Sequence, residues 1–328
     1  MKISLNRRAF LGSVAKSLGG VALFGLTPSW TFAAMKPIAR TINRSTWKMG
    51  TLINLTLLEE TYTPRLVDGA FGALGRVDRT LSAHRVASAL SRLNRQPGSW
   101  HNAERDVLRV ARAARHYGDL TDGALDVTVL PVMREYGFIP GGSGSTDVAA
   151  LLEHVDYTKL HVDEHRVRLE EGIGIDFGGI AKGYAVDESM QILKAAGVKA
   201  ALIEAGGDLF ALGRPDPAKR WRIGIRDPLR PDALFALLDV ENEAVATSGL
   251  YAQSRNYHAK TVTHLINPVT GLPVDHVLSA TIVTSTTMAA DALATATCVM
   301  EPKRAHGLID SLPDTEGLWV YADGSFYA

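Results

Sequence analysis

A chain of 328 residues, 46% hydrophobic and 21% charged, is ordinary for a soluble globule and long enough for one large core or two modest ones. Its 35 basic and 35 acidic residues cancel and form no basic run, which argues against a nucleic-acid partner. The single cysteine, Cys298, excludes an internal disulfide framework and a cysteine-built zinc site; in an apolar segment it reads as a small core residue.

The chain opens on the charged NRRAFLG (6–12), followed by the apolar SVAKSLGGVALFGL (13–26) and the small residues of TFAAM (31–35). That order is a secretory signal peptide, and the apolar run is too short and glycine-rich for a membrane span. Paired arginines before Ala-Phe-Leu resemble a twin-arginine signal. We therefore expect export of the folded protein by the twin-arginine (Tat) machinery to a bacterial periplasm. Cleavage is expected after Ala33, leaving 34–328 as one mature domain; an uncleaved inner-membrane anchor stays open as an alternative.

Beyond it, TLINLTLL (51–58) alternates as a first strand, and Leu66, Ala70, Leu74, Val77 and Leu81 give residues 64–94 a helical period that ends at SRLN. Asn102 is placed to cap a second helix through Tyr117, with Gly118 as its stop. GGSGS (141–145) reads as a flexible loop, 160–170 as a hairpin around Asp163-Glu164, and IGI (173–175) as a buried strand. AVDESMQILKAAG (185–197) reads as an amphipathic helix closed by Gly197. Two strands flank EAGGD (204–208), and WRIGIR (221–226), ALFALLDV (233–240) and EAVATSG (243–249) add three more. LSATIVT (278–284) leads into a helix over 287–300, and an Asp323-Gly324 hairpin closes the chain. Strands and helices alternate without a βαβ rhythm, so the expected class is α+β, with mixed or antiparallel sheets and flanking helices.

The common nucleotide motifs are absent. Lys182 follows GGIA rather than a Walker A frame, no GxGxxG follows a strand, no HExxH occurs, and SGLY (248–251) is not a nucleophile elbow. DFGGIAKGYA (176–185) nevertheless sets an acid, two glycines and a lysine at one turn. Either this is a glycine turn with a surface lysine, or backbone groups there approach a phosphate or cofactor. In ADALATA (290–296), Asp291 and Thr295 are four residues apart, which on a helix puts a carboxylate and a hydroxyl on one face. Hard oxygen ligands of that kind suit Mg²⁺, although helix caps and surface threonines give the same pair. His264 in THLINPVTG reads as a packed or capping histidine or as a catalyst.

These pieces, taken in order, resemble the ApbE family of FAD:protein FMN transferases. The match comprises MGT (49–51), D-x-x-L-S (78–82), S-x-x-S-R-L-N (88–94), GALDVTVLP (123–131), IDFGGIAKGYAVD (175–187), GGD (206–208), WRIGIRDP (221–228), ATSG (246–249), HLINPVTGLP (264–273) and ADALATA. The resemblance implies a T-fold-related α+β architecture. It implies FAD contacts at Met49, at Ala124, Leu125 and Asp126 of the GALD turn, at Asp176, Lys182 and Leu265, and at His84. It implies a Mg²⁺ held by the Gly179 carbonyl, Asp291 and Thr295, with His264 and Asp291 as catalytic residues. The implied reaction is Mg²⁺-dependent transfer of FMN from FAD to a threonine or serine hydroxyl of an acceptor protein, with release of AMP. The expected acceptor is a membrane or exported redox subunit carrying a segment like D-G-x-[S/T]-G-A-T. That segment does not occur in this chain, so self-modification at such a site is not expected. His84 departs from the family's usual tyrosine, which stacks on the isoalloxazine; Ala89 and Glu204 replace an acid and an asparagine. Two other readings stand beside the transferase: hydrolysis of FAD to FMN and AMP, and a non-catalytic FAD-binding maturation factor.

Overall fold

A computed structural model describes residues 40–142 and 147–328. The expected signal peptide, its expected cleavage site and most of GGSGS lie outside the described residues.

The chain begins with strands β1 (Thr41–Lys48) and β2 (Thr51–Leu58), then helices α1 (Pro64–Leu81) and α2 (Ala89–Asn94). A short strand, β3 (His101–Asn102), precedes α3 (Arg105–Leu120), α4 (Leu130–Glu135) and α5 (Val148–Leu151). The hairpin β4 (Leu160–Val162) and β5 (Arg166–Leu169) leads to α6 (Ala181–Ala195). Seven strands follow: β6 (Ala201–Ala205), β7 (Asp208–Leu212), β8 (Trp221–Arg226), β9 (Leu234–Val240), β10 (Glu243–Gly249), β11 (Ser254–Tyr257) and β12 (Lys260–Thr263). The last elements are β13 (Val277–Thr284), α7 (Thr287–Val299), α8 (Pro302–Ser311), β14 (Glu316–Tyr321) and β15 (Phe326–Tyr327).

Eight strands form one sheet in the order β1-β2-β6-β7-β10-β13-β14-β15, with every neighbouring pair antiparallel. The alternation of β2 turns Ile53, Leu55 and Leu57 to one face, where they meet Val67, Leu74 and Val77 of α1 and Val186 and Leu193 of α6 in the main core. Helix α7 packs on β10 and β13 on the same side. The other face is covered by the β8–β9 hairpin, whose Ile223 and Ile225 pack on Leu209, Ala211 and Val245. A third cluster, Val132, Tyr136, Phe138, Val262 and Ile266, seats the β11–β12 hairpin. The class is α+β, as the pattern of elements implies.

Four local expectations need correction. The helical period over 64–94 is two helices, because Ser82 turns to extended backbone and Ser88 caps α2 by accepting from Ser91 N–H. Asn102 is the end of β3, and α3 starts three residues later behind Glu104. Gly118 is inside α3 rather than its stop: a Cβ there would lie 2.3 Å from the Tyr157 ring. IGI is buried but not a strand. Its backbone is held by Asn94, whose amide donates to Ile175 O (2.8 Å) and whose Oδ1 accepts from Ile175 N–H (2.8 Å). A side chain 81 residues away supplies what a neighbouring strand would.

Candidate active site

The turn that opens α6 is set by its anchors. Phe177 is fully buried, and its carbonyl accepts from the amides of Ile180 (3.0 Å) and Ala181 (2.8 Å), so the helix begins at Ala181. That is four residues before the expected start, and it brings Lys182 and Gly183 into the first turn. Asp176 is tied from its amide to Val127 O (2.7 Å), and its Oδ2 accepts from Gly178 N–H (3.0 Å). The glycines answer to close approach, not to left-handed backbone. A Cβ on Gly178 would lie 2.7 Å from Asp176 Oδ2, and one on Gly179 would lie 3.0 Å from Thr295 Cγ2. On Gly183 it would lie 2.3 Å from the Thr287 carbonyl oxygen, so α6 and α7 touch here backbone to backbone.

That contact fixes Asp291. The carboxylate is 2% exposed, and its Oδ2 accepts from Gly183 N–H (2.9 Å). Its Oδ1 lies 3.5 Å from Lys182 Nζ. The ammonium also ion-pairs with Asp208, the first residue of β7, itself 2% exposed. One turn beyond Asp291, Thr295 Oγ1 is 3.2 Å from Ser248 Oγ on β10. Burial opposes the charge on Lys182, but Asp208 and Asp291 outweigh it and hold the ammonium well above its ordinary pKa. Burial, reinforced by Asp291, pushes Asp208 upward against the pull of Lys182. Two buried carboxylates thus share one ammonium.

His264 follows β12. Its amide donates to Gln253 O (3.3 Å), its Nδ1 lies 3.4 Å from the same oxygen, and its ring meets Phe138 edge-on at 6.4 Å. A carbonyl only accepts, so this contact favours the tautomer protonated at Nδ1 and leaves Nε2 as an acceptor. Burial, aided by the Lys182 charge, lowers its pKa to about 4 against the Gln253 contact. Burial also raises Asp176, opposed by the Gly178 N–H and the charge of His84.

Asp176, Lys182, Ser248, His264, Asp291 and Thr295 face one cavity of about 1100 Å³, and Asp208 reaches it only through Lys182. Met49, Ala124, Leu125, Asp126 and His84 line it too, as do Gly179 and Leu265. Each predicted site residue is therefore on its wall, though not all present a side chain for binding. Met49 sits in left-handed backbone (φ 53°) at the β1–β2 turn. Asp126 is committed internally: it accepts from Thr128 N–H (2.7 Å), Thr128 Oγ1 (2.5 Å) and Tyr157 N–H (2.9 Å). His84 is exposed at the mouth, its amide on Ser82 Oγ (3.3 Å).

The geometry has counterparts among known proteins. The ApbE family model matches residues 49–319. The chain belongs to the ApbE family. It is 29% identical to the FAD:protein FMN transferase of Klebsiella pneumoniae over 98% of this chain and 93% of that one. It is 30% identical to the FAD:protein FMN transferase of Treponema pallidum, over 78% and 77%. Among solved structures, the ApbE protein of Thermotoga maritima superposes with a TM-score of 0.80 at 28% identity, covering 88% of this chain and 96% of that one. The flavin transferase ApbE of Vibrio cholerae gives 0.78 at 27% identity, over 88% and 96%.

Within this ApbE fold, Asp208 is the residue that sequence reading passed over. It stands in the quoted GGD segment, but nothing local tells that an acid 26 residues beyond Lys182 is its partner. Glu204 is buried in β6; it accepts from Asn54 Nδ2 (2.8 Å) and from Gly207 N–H (2.9 Å), which binds the β6–β7 turn. Among the described residues no group of three or more His, Cys, Asp or Glu could hold a metal ion. A cation here would take a mixed oxygen set. The Asp291 carboxylate and the Thr295 hydroxyl are donors of the kind Mg²⁺ takes, with the rest of its shell from water and phosphate, and Gly179 closes on Thr295, where a Cβ would lie 3.2 Å from Oγ1. The excess of carboxylate over ammonium is the charge a divalent ion would offset.

Proposed function

We propose that this chain transfers FMN from FAD to a threonine or serine hydroxyl of an acceptor protein and releases AMP. The observation that carries the reading is the convergence of Asp291, Thr295, Lys182 and His264 on one cavity in an ApbE fold, with Asp208 paired to Lys182 behind its wall. Relatives named FAD:protein FMN transferase cover nearly the whole chain.

The acceptor oxygen attacks the phosphorus on the FMN side of the diphosphate, and the bond from that phosphorus to the bridging oxygen breaks, so AMP leaves as a monoester. The hydroxyl proton passes to Nε2 of His264, which is neutral at physiological pH. Lys182 offsets phosphate charge, and Asp208 holds its ammonium in place. The Gly179 carbonyl, Asp291 and Thr295 would hold Mg²⁺, which when bound neutralises charge on the diphosphate. Asp176, Met49, the 124–126 wall and Leu265 shape the seat of the flavin nucleotide. In keeping with the sequence at 6–12, the protein acts in the periplasm after twin-arginine export, on a membrane or exported redox subunit.

Hydrolysis is favoured as the side reaction by one feature: His84, an exposed imidazole, occupies the position at which the resemblance implies a tyrosine stacked on the isoalloxazine. The test counts AMP against protein-bound FMN, using FAD, Mg²⁺ and an acceptor domain bearing D-G-x-[S/T]-G-A-T. One FMN on the acceptor per AMP is the expected result. AMP with free FMN makes the protein a hydrolase, and FAD retained without AMP makes it a carrier.

A further inference from the structure

The β11–β12 hairpin is a sheet of two strands and is not joined to the eight-stranded one. Its pairs run Ser254↔Thr263, Arg255↔Val262, Asn256↔Thr261 and Tyr257↔Lys260. The tight turn through His258 and Ala259, both left-handed (φ 44° and 61°), makes Tyr257/Lys260 a hydrogen-bonded pair. Alternation gives Arg255/Val262 the same status, and the His264 N–H bond to Gln253 O continues it toward the site. The amides and carbonyls of Ser254 and Asn256 therefore point off the outer edge of β11. Both residues are exposed; the Ser254 carbonyl accepts from the neighbouring Arg255 Nη1 (3.3 Å), an exposed contact that an incoming strand can displace, and the Asn256 backbone forms no bond elsewhere among the described residues.

This edge has a direction and a charge. Gln253, Ser254 and Arg255 line the cavity, so the strand runs from solvent to the wall beside His264. SRNYHAKTVT (254–263) carries Arg255 and Lys260 and no carboxylate. Inner-facing Tyr257 is fixed, its hydroxyl donating to Glu135 (3.1 Å) and its ring edge-on to Tyr136, so the strand is presented on a firm base.

We infer that the outer edge of β11 is the acceptor's docking surface: an extended, net-acidic segment of the acceptor protein adds to it as a third strand and delivers its hydroxyl to His264. The inference rests on the transferase reading. An unpaired strand edge is a template for another chain, and main-chain bonds give the affinity. Strand addition also explains how an enzyme could accept a short segment of a folded protein: an extended chain advances about 3.3 Å per residue, so two or three residues on Ser254 and Asn256 bring the next to the cavity.

The experiment uses the FAD- and Mg²⁺-loaded protein with the acceptor domain bearing D-G-x-[S/T]-G-A-T. Residue-resolved amide exchange should slow at Ser254 and Asn256 when the acceptor is added. Asn256→Pro removes an outward N–H while leaving the β12 ladder whole; it should raise the acceptor KM about tenfold or more and leave FAD binding unchanged. Lys260→Glu should raise the same KM at low salt, with the difference narrowing as salt is added. These two outcomes support the docking edge. Unchanged exchange at saturating acceptor, or an unaltered acceptor KM in folded Asn256→Pro, overturns it while the transferase reading stands. Should Asn256→Pro fail to fold, the exchange data and Lys260→Glu decide. A wild-type protein that cleaves FAD yet never labels the acceptor overturns the transferase reading and the docking edge with it.

Discussion

At the scale of single residues, Lys182 holds two buried carboxylates that would otherwise repel each other. Lys182→Met removes the compensating charge and should cost about 3 kcal/mol of stability without metal. Adding Mg²⁺ should raise the melting temperature of this variant more than that of the wild type, since a divalent ion replaces the missing charge. Equal shifts would remove the charge argument. His264 makes a second prediction. Its folded pKa is about 4, below its ordinary value of 6.5, so its contribution to stability is complete above about pH 6.5 and is lost as pH falls through 4. Wild-type stability should decline across that window, and His264→Gln should flatten the decline. The acid limb of kcat should lie below pH 6, where an ordinary imidazole would already be protonated. A limb at 6.5 would show that the site leaves this ring unperturbed.

At the scale of elements, the site depends on how closely α6 approaches α7. Gly183→Ala places a Cβ into the Thr287 carbonyl, forces the helices apart and breaks the Gly183–Asp291 hydrogen bond. The expected cost is about 2–4 kcal/mol in stability, measured by denaturant unfolding, with a larger proportional loss of metal-dependent turnover. A variant with wild-type stability would mean that the helices can separate freely. Strands and most helices were readable because periodicity and turn residues are local signals; β2, the 160–170 hairpin, β6–β7 and α7 all announce themselves this way. The breaks were not. Residues 82–87 interrupt a continuous helical period because Ser88 caps a new helix, and 173–175 is held by Asn94 rather than by a strand. Both depend on partners distant in sequence or on one competing side-chain bond.

At the scale of the whole molecule, the chain brings twelve predicted site positions, from Met49 to Thr295, onto one cavity. The ordered motifs made that set legible through resemblance, while spacing alone reached only the Asp291–Thr295 pair. Asp208 and the free β11 edge were not legible, because each takes its meaning from what lies across the fold. The sheet carries Asp208 on β7 and Ser248 on β10, the helices carry Lys182, Asp291 and Thr295, and the peripheral hairpin ends at His264. Binding should therefore tighten all three layers together. FAD and Mg²⁺ added jointly should raise the melting temperature by more than the sum of their separate effects if, as proposed, the diphosphate and Asp291 share one cation. Additive shifts would place the metal elsewhere.

The most direct test of the central claim is the mass spectrum of an acceptor domain bearing D-G-x-[S/T]-G-A-T after incubation with FAD, Mg²⁺ and either the wild-type protein or Asp291→Ala. An FMN-sized adduct on the Ser or Thr of that segment, formed by the wild type and slowed about 10²–10³-fold by the substitution, is the result predicted. Adduct formed equally by both proteins, or by neither while wild-type FAD is consumed, would contradict it.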